Sequence, residues 1–137
     1  CMFIPQKPYL PNASLRDILL YPNGESISDS DLVDALTLAG VSKFGDKLDF
    51  NSNWQQSVSG GELQKIMLAR SLVQKPQWLF LDEAMSALDP ESYRSIREIM
   101  AQQLPDTHVV EVSHRETHEE DQNQITLCTQ TQSFKYS

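Results

Sequence analysis

The stretch SGGELQKIMLARSLVQKPQWLFLDEAMSALDP, residues 59–90, decides the fold class. Leu63, Ile66, Met67, Ala69, Leu72 and Val73 recur at the spacing of an amphipathic helix, and Ser59 stands where an N-cap belongs. Lys75-Pro76 closes that helix. Trp78-Leu79-Phe80-Leu81 then forms an unbroken apolar run, the length of a strand buried on both faces of a parallel sheet, and it ends in Asp82-Glu83. After it Asp89 caps and Pro90 occupies the first position of another helix, whose apolar stripe is Tyr93, Ile96, Met100 and Leu104. Pro105-Asp106 turns the chain into a Val-rich strand over 107–112 that reaches Ser113-His114. Helix alternating with buried strand is the rhythm of a doubly wound α/β sheet.

Upstream the same logic continues. Cys1 to Ile4 reads as a short buried strand ended by Pro5, and the segment 5–11 is a proline-rich loop with Gln6 at its start. Ser14 with Asp17 three residues on resembles a capping box, which predicts a short helix through Ile18 and Leu19, ended by Pro22-Asn23-Gly24. A second helix is predicted from Ser30 to Ala39, with Leu32, Val33, Leu36 and Ala39 in register and Gly40 as terminator. From Ser42 to Ser57 the apolar residues Phe44, Leu48, Phe50 and Trp54 are isolated, and the segment reads as mostly loop. The polar, acidic stretch 115–124 reads as a solvated loop, and 125–129 as a last edge strand.

The chain's 137 residues suit one domain, and its 39% hydrophobic and 22% charged residues are those of a packed globular body. A net charge of −8 argues against a broad nucleic-acid or anionic-membrane surface. It leaves room for one local anion site built from backbone amides. Two cysteines, Cys1 and Cys128, make no disulfide framework and suggest a reducing compartment. No apolar run reaches the roughly 20 residues needed to cross a bilayer. A first residue of Cys followed at once by Met2-Phe3-Ile4 looks like a strand entered midway, as in part of something longer.

Several residues carry possible chemistry. Gly60-Gly61 at a helix start lets an anion approach bare amides where the helix dipole favours negative charge, although the same pair serves a plain turn. Asp82 and Glu83 at the C-terminal end of a central strand sit where open α/β sheets place ligands. One acid can hold a hydrated Mg²⁺ and the other can orient a water for attack on a phosphoryl group; a solvated acidic pair is the plain alternative. Asp89 read alone is a cap. His114 would lie near Asp82-Glu83 if both strands share a sheet, and could donate to a phosphate. His114 and His118 have the spacing of one helical face, but no third zinc ligand is arranged nearby.

Taken together, FIPQKPYL at 3–10, SVSGGELQKIMLARSL at 57–72, WLFLDEAMSALD at 78–89 and VVEVSH at 109–114 resemble the ABC transporter ATPase family over essentially the whole chain. The resemblance implies a partial P-loop NTPase-type parallel sheet with flanking helices, and a helical subdomain before the signature motif. It assigns about 12–75 to that subdomain and the signature helix, and 1–6 with 76–137 to the catalytic core. By it, Gln6 is the Q-loop glutamine at the metal site. Ser59, Gly60, Gly61 and Glu62 belong to the signature that grips the γ-phosphate of ATP held by a second, head-to-tail domain. Asp82 becomes the Walker B metal acid, Glu83 the catalytic base, Asp89 the D-loop aspartate and His114 the switch histidine. ATP and Mg²⁺ are the implied cofactors, and a permease domain, expected in the same parent chain, is the second partner. Nucleic acid is not. The implied place is the cytoplasmic face of a membrane. PYLPNASLRDILLYP at 8–22, with Trp54 four residues before Val58, is similar to the branch of peroxisomal fatty-acyl transporters and bacterial fused permease-ATPases for peptides.

Some positions depart from the family pattern: Val58 replaces a usual leucine, Lys65 a common arginine and Met85 a frequent threonine. No G-x-x-x-x-G-K-[ST] occurs, and Gly24, Gly40, Gly45, Gly60 and Gly61 cannot supply one, so this stretch brings no amide cradle for the β- and γ-phosphates. Two functions follow as expectations. The chain is the C-terminal part of an ATPase that powers transport, inactive by itself, or it is a non-catalytic module that pairs with a competent ABC ATPase. The resemblance also places the missing loop's strand beside the one ending at Asp82, so the chain alone is expected to be poorly stable or to associate through exposed strand edges.

Overall fold

The computed structural model describes residues 1–23 and 26–112, with the backbone of two further strands at Ile125–Cys128 and Ser133–Tyr136. In chain order the elements are β1 (Met2–Ile4), β2 (Ala13–Ser14), α1 (Leu15–Leu20), α2 (Asp29–Leu38), a 3₁₀ turn (Ser42–Lys47), β3 (Asn51–Ser52) and α3 (Trp54–Ser57). There follow α4 (Gly60–Gln74), β4 (Trp78–Asp82), α5 (Pro90–Gln103), β5 (His108–Val112), β6 (Ile125–Cys128) and β7 (Ser133–Tyr136).

The α/β class is as expected. β1, β4 and β5 form a parallel sheet in the order β1-β4-β5, with Ile4 opposite Leu81 and Asp82 opposite Val112. β4 therefore hydrogen-bonds on both sides. This corrects the expectation that a strand from elsewhere lies beside β4, because both of its edges are occupied and the outer edges belong to β1 and β5. The expectation of burial on both faces fails as well. Leu79 and Leu81 are buried with Met2 and Ile4, whereas Phe3, Trp78, Val110 and Val112 on the other face are exposed. A strand's side chains alternate between faces, and among the described residues one face is covered, apart from Val109 on the outer strand β5, which lies opposite Leu79 and is exposed.

The helices follow their caps. Ser14 Oγ accepts from Asp17 N–H, but its hydroxyl also donates to the Asp17 carboxylate, so the short aspartate does not reach back to complete a capping box. α2 begins one residue before the expected Ser30, because Ser28 rather than Ser30 caps it, accepting from Asp31 N–H. Gly40 terminates it at φ 77°, a left-handed conformation that suits glycine. Both α1 and α2 pack on α4.

Residues 42–57 are the clearest miss. They hold three short elements instead of loop, each too brief for a periodicity to register. Their purpose is burial: Phe44, Leu48 and Trp54 all join the core, and Phe44 and Phe50 meet Trp54 edge-on, with ring centroids 5.6 and 6.5 Å away. Trp54 Nε1–H donates to Ala13 C=O at 3.0 Å, next to the β2–β3 pair. β6 pairs antiparallel with β7 as a separate two-stranded sheet and is not an edge of the main one.

Candidate functional site

Gln6, Asp82 and Glu83 come together at the C-terminal ends of adjacent parallel strands. Pro5 has no N–H for a ladder and lets the chain leave β1 just before Gln6. β4 carries Asp82 to the same end of the sheet. Gln6 Nε2 donates to Glu83 Oε2 at 2.6 Å, a contact between residues 77 apart in sequence. Glu83 has φ 48°, a left-handed conformation unusual for a side-chain-bearing residue. Two hydrogen bonds hold it there: its N–H donates to Val112 C=O at 2.9 Å, and its C=O accepts from Ser86 N–H at 3.0 Å. Non-glycine residues held in this region cluster at functional sites.

Ser59, Gly60, Gly61 and Glu62 form the first turn of α4. The expected cap is present and goes further, as a reciprocal capping box: Ser59 Oγ accepts from Glu62 N–H at 3.2 Å, and Glu62 Oε2 accepts from Ser59 N–H at 3.0 Å. The amides of Gly60 and Gly61 are among those an intrahelical bond cannot reach. The two glycines differ in use. A Cβ on Gly60 would meet nothing within 4 Å, so this one leaves the helix end open, whereas a Cβ on Gly61 would come 3.3 Å from Ala87 C=O. Gly61 thus lets α4 press against the turn after β4. Glu62 is also paired with Lys43, and this pairing together with the Ser59 bond holds its carboxyl below the usual range.

Asp89 caps α5, accepting from Ser92 N–H at 3.0 Å and from the Ser92 hydroxyl at 2.6 Å. These bonds hold its carboxyl below the ordinary value. β4 and β5 do share a sheet, as the placement of His114 near the acids required, but His114 and His118 lie outside the described residues.

One residue escaped the sequence reading. Gln64 is buried, 3% exposed, on a helix whose other buried side chains are apolar apart from Ser71. Its Nε2 donates to Gln6 C=O at 3.2 Å and to Ser86 Oγ at 3.4 Å, and its Oε1 accepts from Ala87 N–H at 3.0 Å. The available signal was a glutamine beside Leu63 in a helix that buries Leu68 and Ser71 too, so that α4 is covered on more than one stripe.

The donor set at the strand ends is chemically suited to Mg²⁺: a carboxylate from Asp82 and the amide oxygen of Gln6, whose nitrogen is committed to Glu83. Magnesium typically takes only one or two carboxylates from the protein and completes its shell with water and phosphate.

A parallel sheet with acids at its C-terminal edge, next to a glycine-opened helix, is the frame of a nucleotide-binding α/β domain. The sequence profile described as "ABC transporter" matches residues 2–86, and the chain belongs to that family. An uncharacterized ABC transporter ATP-binding protein of Haemophilus influenzae is 34% identical over 116 residues, which are 85% of this chain and 20% of that protein. A putative export ATP-binding/permease protein of Rickettsia felis is 30% identical over 118 residues, 82% of this chain and 20% of its own length. The structure of a bacterial Atm1-family ABC exporter with ATP bound superposes with a TM-score of 0.70 at 26% identity, covering 82% of this chain and 20% of that one. The chain thus spans about a fifth of the length of these relatives. Membership of the family implies a nucleotide, ATP, as its ligand. Among the described residues no helix is long and apolar enough to cross a membrane.

Proposed function

We propose that the full protein containing this chain is an ATPase that couples ATP hydrolysis to transport of a substrate across a membrane, and that this chain supplies half of each ATP site. The observation that carries the reading is the convergence of Gln6, Asp82 and Glu83 at the ends of β1 and β4, with Gln6 bonded to Glu83. In this reading 1–6 and 76–137 belong to the catalytic core, and about 12–75 forms the helical subdomain with the signature helix.

Asp82 and the Gln6 amide oxygen would hold Mg²⁺, which when bound would supply neutralisation of phosphate charge. Glu83, once released by Gln6, accepts a proton from the attacking water and aims it in line with the γ-phosphorus. Ser59 donates its hydroxyl, and Gly60 and Gly61 donate their N–H groups, to the γ-phosphate of a nucleotide carried by a second, head-to-tail domain. Glu62 keeps that helix end ordered through the capping box. Asp89 reaches toward the partner domain, and His114 donates to the departing phosphate. A permease domain in the same polypeptide, on the membrane whose cytoplasmic face this part occupies, takes up the motion. The export ATP-binding/permease relative supports that arrangement.

Glu83→Gln in the full-length protein is expected to lower turnover at least a hundredfold, on the order of the loss when a positioned base is removed, while ATP binding persists. Turnover within a few-fold of wild type would remove Glu83 from the role. A wild-type protein that binds a competent ABC ATPase but hydrolyses nothing itself would favour the alternative of a non-catalytic partner module.

A further inference from the structure

We propose that Gln64 is a positioning residue that ties the signature helix to both arms of the catalytic end of the sheet, so that a shift of α4 moves Gln6 and the turn leading to Asp89 together. The proposal rests on the ATPase reading above and deepens it. A side chain of this size in this place would bury as well if it were methionine or leucine, and a buried amide is unfavourable unless its polar atoms are bonded. Gln64 fills three of its four hydrogen-bonding positions, and none of the three partners lies on its own helix. The carbonyl it binds belongs to Gln6, whose side chain holds Glu83. The N–H it binds belongs to Ala87, two residues before Asp89.

A second contact reinforces the first. Gly61, one turn earlier on α4, has no side chain where a Cβ would approach Ala87 C=O to 3.3 Å. The helix therefore meets the peptide groups on both sides of Ala87, its N–H through Gln64 and its C=O through Gly61. Because the first turn of the same helix carries Ser59 and Gly60, the group expected to face a partner's phosphate is braced against the residues that serve this domain's own phosphate. Gln64 touches no substrate in this account; it acts through Gln6 and Ala87.

The test uses the full-length protein with ATP turnover as the readout. Gln64→Met keeps the volume and removes all three bonds. Its kcat is expected to fall about tenfold or more with the KM for ATP within about twofold, the pattern of an interaction that matters in the transition state rather than in binding. Gln64→Glu keeps an acceptor for Ala87 N–H and loses the Nε2 donor to Gln6 C=O; it is expected to show the same split, a kcat several-fold down with KM within about twofold, and this decides if Gln64→Met fails to fold. An unchanged kcat for both variants, or a change confined to KM, overturns the proposal. Absence of turnover in wild type overturns the ATPase reading and this one with it, while normal wild-type turnover with indifferent Gln64 variants removes this one alone.

Discussion

The two faces of the parallel sheet are built from the same strands and have opposite surroundings. On one, Met2, Ile4, Leu79 and Leu81 lie in the core with Ile96 and Met100 of α5 and Leu104 just after it, and Glu111 is held by Tyr93 and Arg97. On the other, Phe3, Trp78, Val110 and Val112 are more than a third exposed, and Trp78 stacks on Phe80 with ring centroids 6.2 Å apart. The sequence is equally apolar on both faces. The alternation seen in a sheet with one wet face is missing, so the composition is that of a sheet covered on both sides while the described residues cover one. Exposed apolar surface of this kind marks a contact made with something else.

The largest test of the contrast is a matched pair in β4, followed by chemical denaturation of residues 1–137. Leu79→Ala, on the closed face and 0% exposed, is expected to cost about 2–5 kcal/mol, or to prevent folding. Phe80→Ser, one residue on and facing the other way, should cost less than about 1 kcal/mol and increase solubility. Comparable losses at both sites would mean that the open face is closed in solution by association. That outcome would fit the expectation that the chain alone associates, now through a face and the outer edges of β1 and β5 rather than an edge of β4.

What could be read from sequence divides along similar lines. The segments with a clear period or a clear cap, α4 with Ser59, β4 with its acids and α5 with Asp89-Pro90, lie where the residues say they should. The bond from Gln6 to Glu83 was not among the expectations; taking the four motifs as one set gave both residues roles at a nucleotide site but no contact between them. Residues 42–57 were illegible because their order comes from Trp54 and Phe44 packing onto other elements, not from any repeat within the segment. Neighbours of β4 were misplaced because strand order is a long-range property that no local pattern encodes. Gln64 was missed for a related reason: one polar residue in a helix has no partner until the loops around it are folded.

A helical counterpart sharpens the contrast, since the helical region has a closed core. Trp54→Phe keeps an aromatic ring between Phe44 and Phe50 but loses the bond to Ala13 C=O, and is expected to cost about 1 kcal/mol. A loss under a few tenths would show that the β2–β3 corner is held by the backbone pair alone.

Two residues outside glycine adopt positive φ, among those described: Lys75 at 43° and Glu83 at 48°. Lys75 ends α4 with its N–H on Ser71 C=O, a position where glycine is the common choice. Lys75→Gly should stabilise by up to about 1 kcal/mol, read as a higher denaturation midpoint with turnover of the full-length protein unchanged. The same relief is open to Glu83 and would remove the carboxylate bonded by Gln6. Strain at Lys75 is thus dispensable, and strain at Glu83 comes with a side chain that the site needs. A destabilised Lys75→Gly would show that the stem of Lys75 packs more than its exposure suggests.

The smallest effect is expected from acid. Arg16 on α1 bonds both Asp29, at the start of α2, and Asp49, before β3, and these bonds hold both carboxyls below the ordinary aspartate value. Glu62 is lowered in the same way by Lys43. A carboxyl whose value is lower in the folded than in the unfolded chain stabilises the fold above its unfolded value, near pH 4, and loses that contribution as pH falls through the folded one. Stability should therefore be level in this respect from neutral pH to about 5 and decline below about 4. The decline attributable to Arg16 should be slight, because Asp29 and Asp49 are 70% and 79% exposed and water screens the pairing. Arg16→Gln tests this: its acid profile should run slightly flatter than wild type, and about 1 M salt should bring the two together. If the profiles separate widely and salt does not close the gap, Arg16 is clamping α1, α2 and β3 through geometry rather than through screened charge, and the helical region owes its closure to that clamp as well as to Trp54.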